Sequence, residues 1–278
     1  MNTPLFSINT VSKIFPAVAG GEPFIALNNV SLDIFEGQCL LIAGSNGSGK
    51  TLLTRIIAGL LEPDGGEVLF RGQIMYNVLK YNVHKRSTAQ NDAVRRETIK
   101  KLRRELGLVF QDADAQIVGE TVIEDAAFGP ENLGLSAAEA MACAEQSLVA
   151  MGLSEKRDNS PRRLSGGEKR RLAVAGILAM GCGTIIMDEP FANLDWPGVV
   201  QTLNIICDLK KNGKTLIILT HELEKVLALA DRLVILHRGS IHDDGPPAQV
   251  LDRLDPAWGV RDPRRNYAAI KDCSWLED

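Results

Sequence analysis

The stretch Gly44-Ser45-Asn46-Gly47-Ser48-Gly49-Lys50-Thr51, directly behind the apolar run Cys39 to Ala43, constrains this chain more than any other. A short apolar strand, a glycine-rich turn and an amphipathic segment from Leu52 to Leu60 form the strand–loop–helix order that a phosphate-binding loop requires. Gly47 and Gly49 open backbone conformations closed to residues with a Cβ, so successive N–H groups can converge on phosphate oxygens. The helix N-terminus adds partial positive charge. In such a loop the backbone from Gly44 through Ser45, Asn46, Gly47, Ser48 and Gly49 cradles the phosphates, Lys50 reaches the β- and γ-phosphates, and the Thr51 hydroxyl ligates Mg²⁺. The bland alternative, a glycine turn that happens to precede a helix, is disfavoured by the flanking strand and helix.

A length of 278 residues suits one large or two modest domains, and 45 % hydrophobic residues is ample for a buried core. The net charge of −4 argues against a chain built to coat nucleic acid. No apolar run approaches the roughly 18 residues of a membrane span, and no charged-then-apolar leader opens the sequence, so a cytoplasmic location is expected. The five cysteines (Cys39, Cys143, Cys182, Cys207 and Cys273) are widely spaced without a Cys-x-x-Cys, which reads as apolar filling rather than disulfides or zinc.

Leu5 to Ile14 and Ala26 to Ile34 alternate loosely, with a Gly- and Pro-rich loop between them, and read as antiparallel strands. Pro63-Asp64-Gly65-Gly66 is a turn before another short strand, Glu67 to Phe70. From Gly72 to Glu105 nine Lys or Arg residues stand against three acids, and Ile99, Leu102 and Leu106 predict an amphipathic helix over Asp92 to Leu106 with a basic outer face. That face reads as a solvated surface or as one lying near anionic lipid headgroups. Leu108 to Phe110 is a strand, residues 112–122 are polar and irregular, and helices follow over Glu124 to Phe128, Ala137 to Met151 and Gly167 to Met180. Strand and helix then alternate: strand Thr184 to Met187, helix Val199 to Lys211, strand Thr215 to Leu219, helix Glu222 to Ala230, and a last strand, Leu233 to Leu236. The expected fold is α/β, a mainly parallel sheet with helices on both faces, carrying an antiparallel β edge and an inserted α-helical subdomain. The expected divisions are a core over 1–111 and 165–240, a basic insertion over 72–105, a helical subdomain over 112–164 and a C-terminal extension over 241–278 that ends in a region with Trp258 and Trp275.

Ile185-Ile186-Met187 runs into Asp188-Glu189, placing two acids at the carboxyl end of a parallel strand, where such sheets gather ligands. Asp188 suits Mg²⁺, and Glu189 suits polarising a water for in-line attack on a γ-phosphate. Gln111 and His221 also end strands, and each is able to touch Mg²⁺, a water or a phosphate, though either is equally plain as a structural hydrogen bonder. Leu164-Ser165-Gly166-Gly167-Glu168 before a helix reads either as simple capping or as a second anion site built on Ser165, Gly166 and Gly167.

Taken in order, these elements resemble the ATPase subunit of an ABC transporter over about residues 5–250. Gly44 to Thr51 matches Walker A, Gln111 the Q-loop, Leu164 to Glu168 the signature, Ile185 to Glu189 Walker B, Ala192-Asn193-Leu194-Asp195 the D-loop and His221 the switch histidine. The resemblance implies a P-loop NTPase (RecA-like) core and a head-to-tail dimer around two ATP. Each ATP would sit on Lys50 and its loop in one subunit, against Ser165, Gly166 and Gly167 of the other, and the resemblance adds Asp195 to the nucleotide-binding residues. The catalytic set it implies is Glu189, His221, Gln111 and Lys50; the Mg²⁺ set is Thr51, Gln111 and Asp188.

The stretch from Val109 to Gln116, followed by Thr121 to Leu135, is similar to energy-coupling-factor importers of vitamins and of transition metals such as cobalt or nickel. That subclass implies a second ATPase, itself or a paralogue, an integral membrane coupling protein, a small substrate-binding membrane protein, and residence on the cytoplasmic face of the membrane. The groove beside Gln111 to Pro130 is where a coupling helix is expected. No nucleic acid partner is expected. The alternatives are an ATPase of another ABC importer or exporter class, or a soluble ABC ATPase acting on nucleic acid or ribosomes. This chain shows none of the latter's second cassette, zinc site or sustained heptads. Three features depart from the pattern: Phe15 stands where a base-stacking Tyr is usual, Glu168 where Gln is commoner, and the basic insertion is long.

Overall fold

In the computed structural model, which describes residues 3–16, 22–78 and 89–264, strand β3 (Cys39–Ala43) lies inside a six-stranded sheet. All five of its residues are buried because both faces are covered. Leu40 and Ile42 join one apolar cluster, while Cys39, Leu41 and Ala43 join the other. The strand order is β10-β9-β3-β8-β7-β6. Parallel pairing joins β6 (Leu106–Val109), β7 (Thr184–Asp188), β8 (Thr215–Thr220), β3 and β9 (Arg232–His237). The last strand of the sheet is not β9, as the sequence reads, but β10 (Ser240–Gly245), which returns antiparallel through a tight turn. Both turn residues, Arg238 and Gly239, have positive φ, as a two-residue hairpin requires.

The antiparallel edge is a second sheet, ordered β2 (Phe24–Ile34), β1 (Phe6–Phe15), β4 (Gly65–Phe70), β5 (Gln73–Asn77). β5 occupies the start of the stretch expected to be a basic insertion. Its turn, Arg71-Gly72, again has positive φ at both positions. Helix α1 (Lys50–Ile57) buries Leu53, Ile56 and Ile57 in the cluster shared by the two sheets. Helix α2 (Ala89–Glu105) fits the expected amphipathic segment, with Thr98 and Leu102 buried. Leu106 is not its last apolar position but opens β6. Residues 79–88 of the basic stretch lie outside the described residues.

On the other face of the central sheet pack α3 (Val122–Asn132), α4 (Ala137–Ala150) and α5 (Gly166–Ala179). Thr121, Ser136 and Ser165 each close a reciprocal capping box, with Glu124, Glu139 and Glu168 respectively. Helix α3 is longer than the expected Glu124 to Phe128 and runs through Pro130 to Asn132. Ala140, Ala144 and Leu148 form the buried stripe of α4 that their spacing predicts. Helix α6 (Trp196–Lys211) follows β7; α7 (Leu223–Val226) gives way to a 3₁₀ turn over Leu227–Leu229 where one longer helix is expected. Past β10, α8 (Pro247–Asp252) leads to Trp258, whose ring lies 5.6 Å from that of His242. Residues from 265 on, with Cys273 and Trp275, lie outside the described residues. Cys39 and Cys182 are buried apolar filling, each thiol pushed up to about 11 by desolvation, and Cys143 and Cys207 are half-buried.

Candidate nucleotide site

The carboxyl ends of β3, β6, β7 and β8 come to one side of the sheet, and a cavity of about 320 Å³ opens there. It is lined by Asn46, Gly47, Ser48, Gly49, Lys50, Thr51 and Leu52, by Gln111, Asp188, Glu189 and His221, and by Phe24 and Ala26 from β2. The loop takes its course because two glycines leave room for it. A Cβ on Gly44 would stand 2.1 Å from the Leu236 carbonyl oxygen of β9, and Gly49 sits at φ 104 with Leu27 and Ala26 beside it. Gly44→Ala is therefore expected to cost about 2–3 kcal/mol through overpacking, read as a lower Tm and weakened nucleotide binding.

Lys50 is buried and folds back, its Nζ donating to the Gly44 and Ser45 carbonyls at 2.7 and 3.2 Å. Burial pulls its pKa down, against the raising effect of Glu189 and Asp188. Its Nζ is 4.0 Å from Glu189 Oε1. The Thr51 hydroxyl donates to Asp188 Oδ2 at 3.0 Å, and burial raises the Asp188 pKa while that hydrogen bond lowers it. Glu189 Oε1 is 3.0 Å from His221 Nδ1, whereas Oε2 is buried without a partner. Glu189 also has φ 48, a left-handed conformation that costs energy in a residue with a Cβ. An acceptor held in a strained turn with one oxygen unsatisfied can take a hydrogen bond and a proton from an incoming water.

Thr51 and Asp188 offer adjacent hard oxygens. No group of three or more His, Cys, Asp or Glu able to hold a metal occurs among the described residues. The donor set therefore fits Mg²⁺ whose remaining ligands are phosphate oxygens and water, the usual arrangement for that ion at a nucleotide.

Not every residue singled out in the sequence reaches the cavity. Gly44 and Ser45 lie behind it as acceptors for Lys50. Phe15 does not line it; its cross-strand partner Phe24 does, 62 % exposed at the start of β2. Asp195 caps α6, accepting from the Gly198 N–H at 2.9 Å, and is followed by Trp196, 78 % exposed. Ser165, Gly166 and Gly167 also lie away from the cavity, at the start of α5. A Cβ on Gly166 would meet nothing within 4 Å, so no packing among the described residues calls for glycine there. The signal for Phe24 was its pairing with Phe15 across β1 and β2, a register that composition does not reveal.

Comparison with known proteins agrees with this geometry. The ABC transporter family profile matches residues 27–192. A cobalt import ATP-binding protein of Rhodobacter capsulatus is 40 % identical over 258 residues, covering 92 % of this chain and 84 % of the relative. An energy-coupling factor transporter ATP-binding protein of Streptococcus sanguinis is 37 % identical over 249 residues, 88 % of this chain and 84 % of the relative. Among solved structures, an ATP-binding cassette captured as a dimer in a post-hydrolysis state with ADP and Pi superposes with a TM-score of 0.72 at 27 % identity, covering 87 % of this chain and 98 % of that one. The expected P-loop α/β fold is thus the observed one, and this chain belongs to the ABC transporter family as one of its ATPases.

Proposed function

We propose that this ATPase pairs head-to-tail with a second cassette around two Mg-ATP and drives uptake of a micronutrient, a transition-metal ion or a vitamin, through an integral membrane partner. The observation that carries the pairing is the separation of the site into two parts. One chain gathers Lys50, Thr51, Asp188, Glu189, Gln111 and His221 in its cavity, while Ser165 and Gly166 stand exposed elsewhere with Gly167 half-buried beside them, at a helix start where no packing among the described residues calls for glycine at Gly166. A γ-phosphate bound in one cavity would meet that helix start from the other subunit, with Asp195 alongside. Within the cavity, Thr51 and Asp188 would hold Mg²⁺, and Gln111, which lines the same cavity, is the further candidate ligand. Lys50 neutralises the β- and γ-phosphates, and Glu189, steadied by His221, takes the proton of the attacking water. Mg²⁺ supplies charge neutralisation on the phosphates. The micronutrient reading is supported by relatives named for cobalt import and for energy-coupling factor transport.

No helix among the described residues is long and apolar enough to cross a membrane. Substrate recognition is therefore assigned to other polypeptides, a coupling protein and a small binding protein in the membrane, with this chain docked on the cytoplasmic face. An affinity-tagged chain purified from detergent-solubilised membranes is expected to bring both with it. Recovery of ribosomes or DNA instead, or of a periplasmic binding protein system, would replace this reading with one of its alternatives.

The adenine contact is assigned to Phe24 on the strength of its place at the cavity, with Phe15 behind it. Stacking of a base on an aromatic ring is worth about 1–3 kcal/mol. Phe24→Ala is expected to weaken binding of a fluorescent ATP analogue by about ten-fold or more on that scale, and Phe15→Ala much less. The reverse order would return the contact to Phe15.

A further inference from the structure

Arg170, in the second turn of α5, is 7 % exposed and pairs with no carboxylate among the described residues. Its neighbours on the helix behave otherwise: Lys169 reaches Asp114 at 2.5 Å on the surface, and Arg171 bonds to Gln201 and approaches Glu168 at 3.9 Å. The Arg170 guanidinium is instead held by main-chain carbonyls from two separate segments. Nη1 donates to Pro190 O at 2.5 Å and Ala192 O at 3.3 Å, and Nη2 donates to Gln111 O at 3.1 Å. Nε is buried with no partner. Burial pulls the pKa of the group down. A buried cation without a counter-ion is an expensive feature. It is out of proportion to fastening a helix, a task that an apolar side chain performs at less cost.

The carbonyls it chooses belong to the parts of the site that must hold their geometry at the γ-phosphate. Gln111 lines the cavity. Pro190 and Ala192 belong to the turn that starts at Glu189, where Ala192 N–H returns to Glu189 O at 3.1 Å and both Glu189 and Asn193 have positive φ, 48 and 58. Arg170 bonds that strained turn twice. One turn earlier on the same helix stand Ser165, Gly166 and Gly167.

We infer that Arg170 is a positioning residue that locks Gln111 and the Glu189 turn to the signature helix α5, so that the water-activating geometry in one cavity moves together with the helix start offered to the other subunit's ATP. The guanidinium fork suits the task because it spans several carbonyls in one plane, as an ammonium or an apolar chain does not. This inference rests on the proposed roles of Glu189 and Gln111.

The test compares full-length wild type, Arg170→Met, Arg170→Lys and the control Lys169→Met, with ATP affinity measured by a fluorescent ATP analogue and turnover by phosphate release. Arg170→Met is expected to bind ATP like wild type while kcat falls about 10²-fold, the scale of a small misplacement of reacting groups. Arg170→Lys should be intermediate, and Lys169→Met near wild type. Hydrogen exchange of the amides over 111–114 and 190–194 should speed up in Arg170→Met while α4 stays unchanged. Wild-type kcat in Arg170→Met overturns the inference. So does a parallel fall of affinity, kcat and Tm, which marks a general structural role. Should Arg170→Met fail to fold, the same split between affinity and kcat is required of Arg170→Lys. Undiminished turnover in Glu189→Gln would instead fall on the reading of the site, not on Arg170.

Discussion

Glu189→Gln is expected to keep ATP binding and to lose turnover by about 10²–10³-fold, within the range that a general base contributes. The exchange is nearly isosteric: Gln can still accept a hydrogen bond at the position of Oε1, 3.0 Å from His221 Nδ1, and the turn at φ 48 need not move. What Gln cannot do is take a proton. The buried Oε2 has no hydrogen-bond partner, and replacing it with an NH₂ group puts a donor where an acceptor for water is needed. If bound ATP is the joint between two cassettes, as proposed, a variant that binds without hydrolysing should accumulate as the dimer, by mass action on the ligated state. Light scattering with and without Mg-ATP checks this: the mass should double with nucleotide and persist. ATP hydrolysis at the wild-type rate would remove Glu189 as the base. Retained binding with no change of mass would point to an obligatory different cassette as partner.

Lys50→Ala is expected to lose ATP affinity by about 10–100-fold, since a hydrogen bond to a charged group contributes about 1.5–3 kcal/mol. Its effect on the empty protein has the opposite sign. A base whose pKa is lowered by folding binds its proton more weakly in the folded chain than in the unfolded one. At any pH below the folded pKa its charge therefore subtracts from stability. Removing the ammonium should leave the Tm without nucleotide unchanged or higher, while sharply reducing the rise in Tm that ATP gives the wild type. A large fall in Tm without nucleotide would make Lys50 a structural anchor of the Gly44 and Ser45 carbonyls. Normal binding by equilibrium dialysis would contradict its phosphate role.

The parts of the site legible in the sequence were those whose chemistry is local. Gly44 to Thr51 follows its strand within one motif, and Asp188-Glu189 ends an apolar run whose direction fixes where the acids point. The strands missed were of another kind. β10, Ser240 to Gly245, is largely polar, and β5, Gln73 to Asn77, is only five residues long with Ile74, Met75 and Tyr76 as its apolar run; the pairing of each is announced only by a two-residue turn, Arg238-Gly239 and Arg71-Gly72. Arginine at positive φ is uncommon, so these turns do not carry the Asn-Gly or Asp-Gly signal that reveals a hairpin. Phe24 escaped because its place at the cavity depends on cross-strand register with Phe15, and Arg170 because its partners are backbone atoms, which every residue has and no side-chain pattern marks. The end of α2 was misplaced by one residue for a related reason. Leu106 continues the helical apolar spacing, but tertiary pairing with Thr184 claims it for the sheet.

The indole of Trp196 stands almost fully in solvent, one residue beyond Asp195. Where two cassettes are proposed to close over ATP, this places a fluorophore at the seam. Its emission should shift to shorter wavelength as a second subunit excludes water and return as the pair opens, whereas Trp258, packed against His242, supplies a steadier background. The chain thus carries its own optical gauge of assembly. With Trp196 alone retained among its tryptophans, rapid mixing with nucleotide would time the closing and opening strokes without any added label.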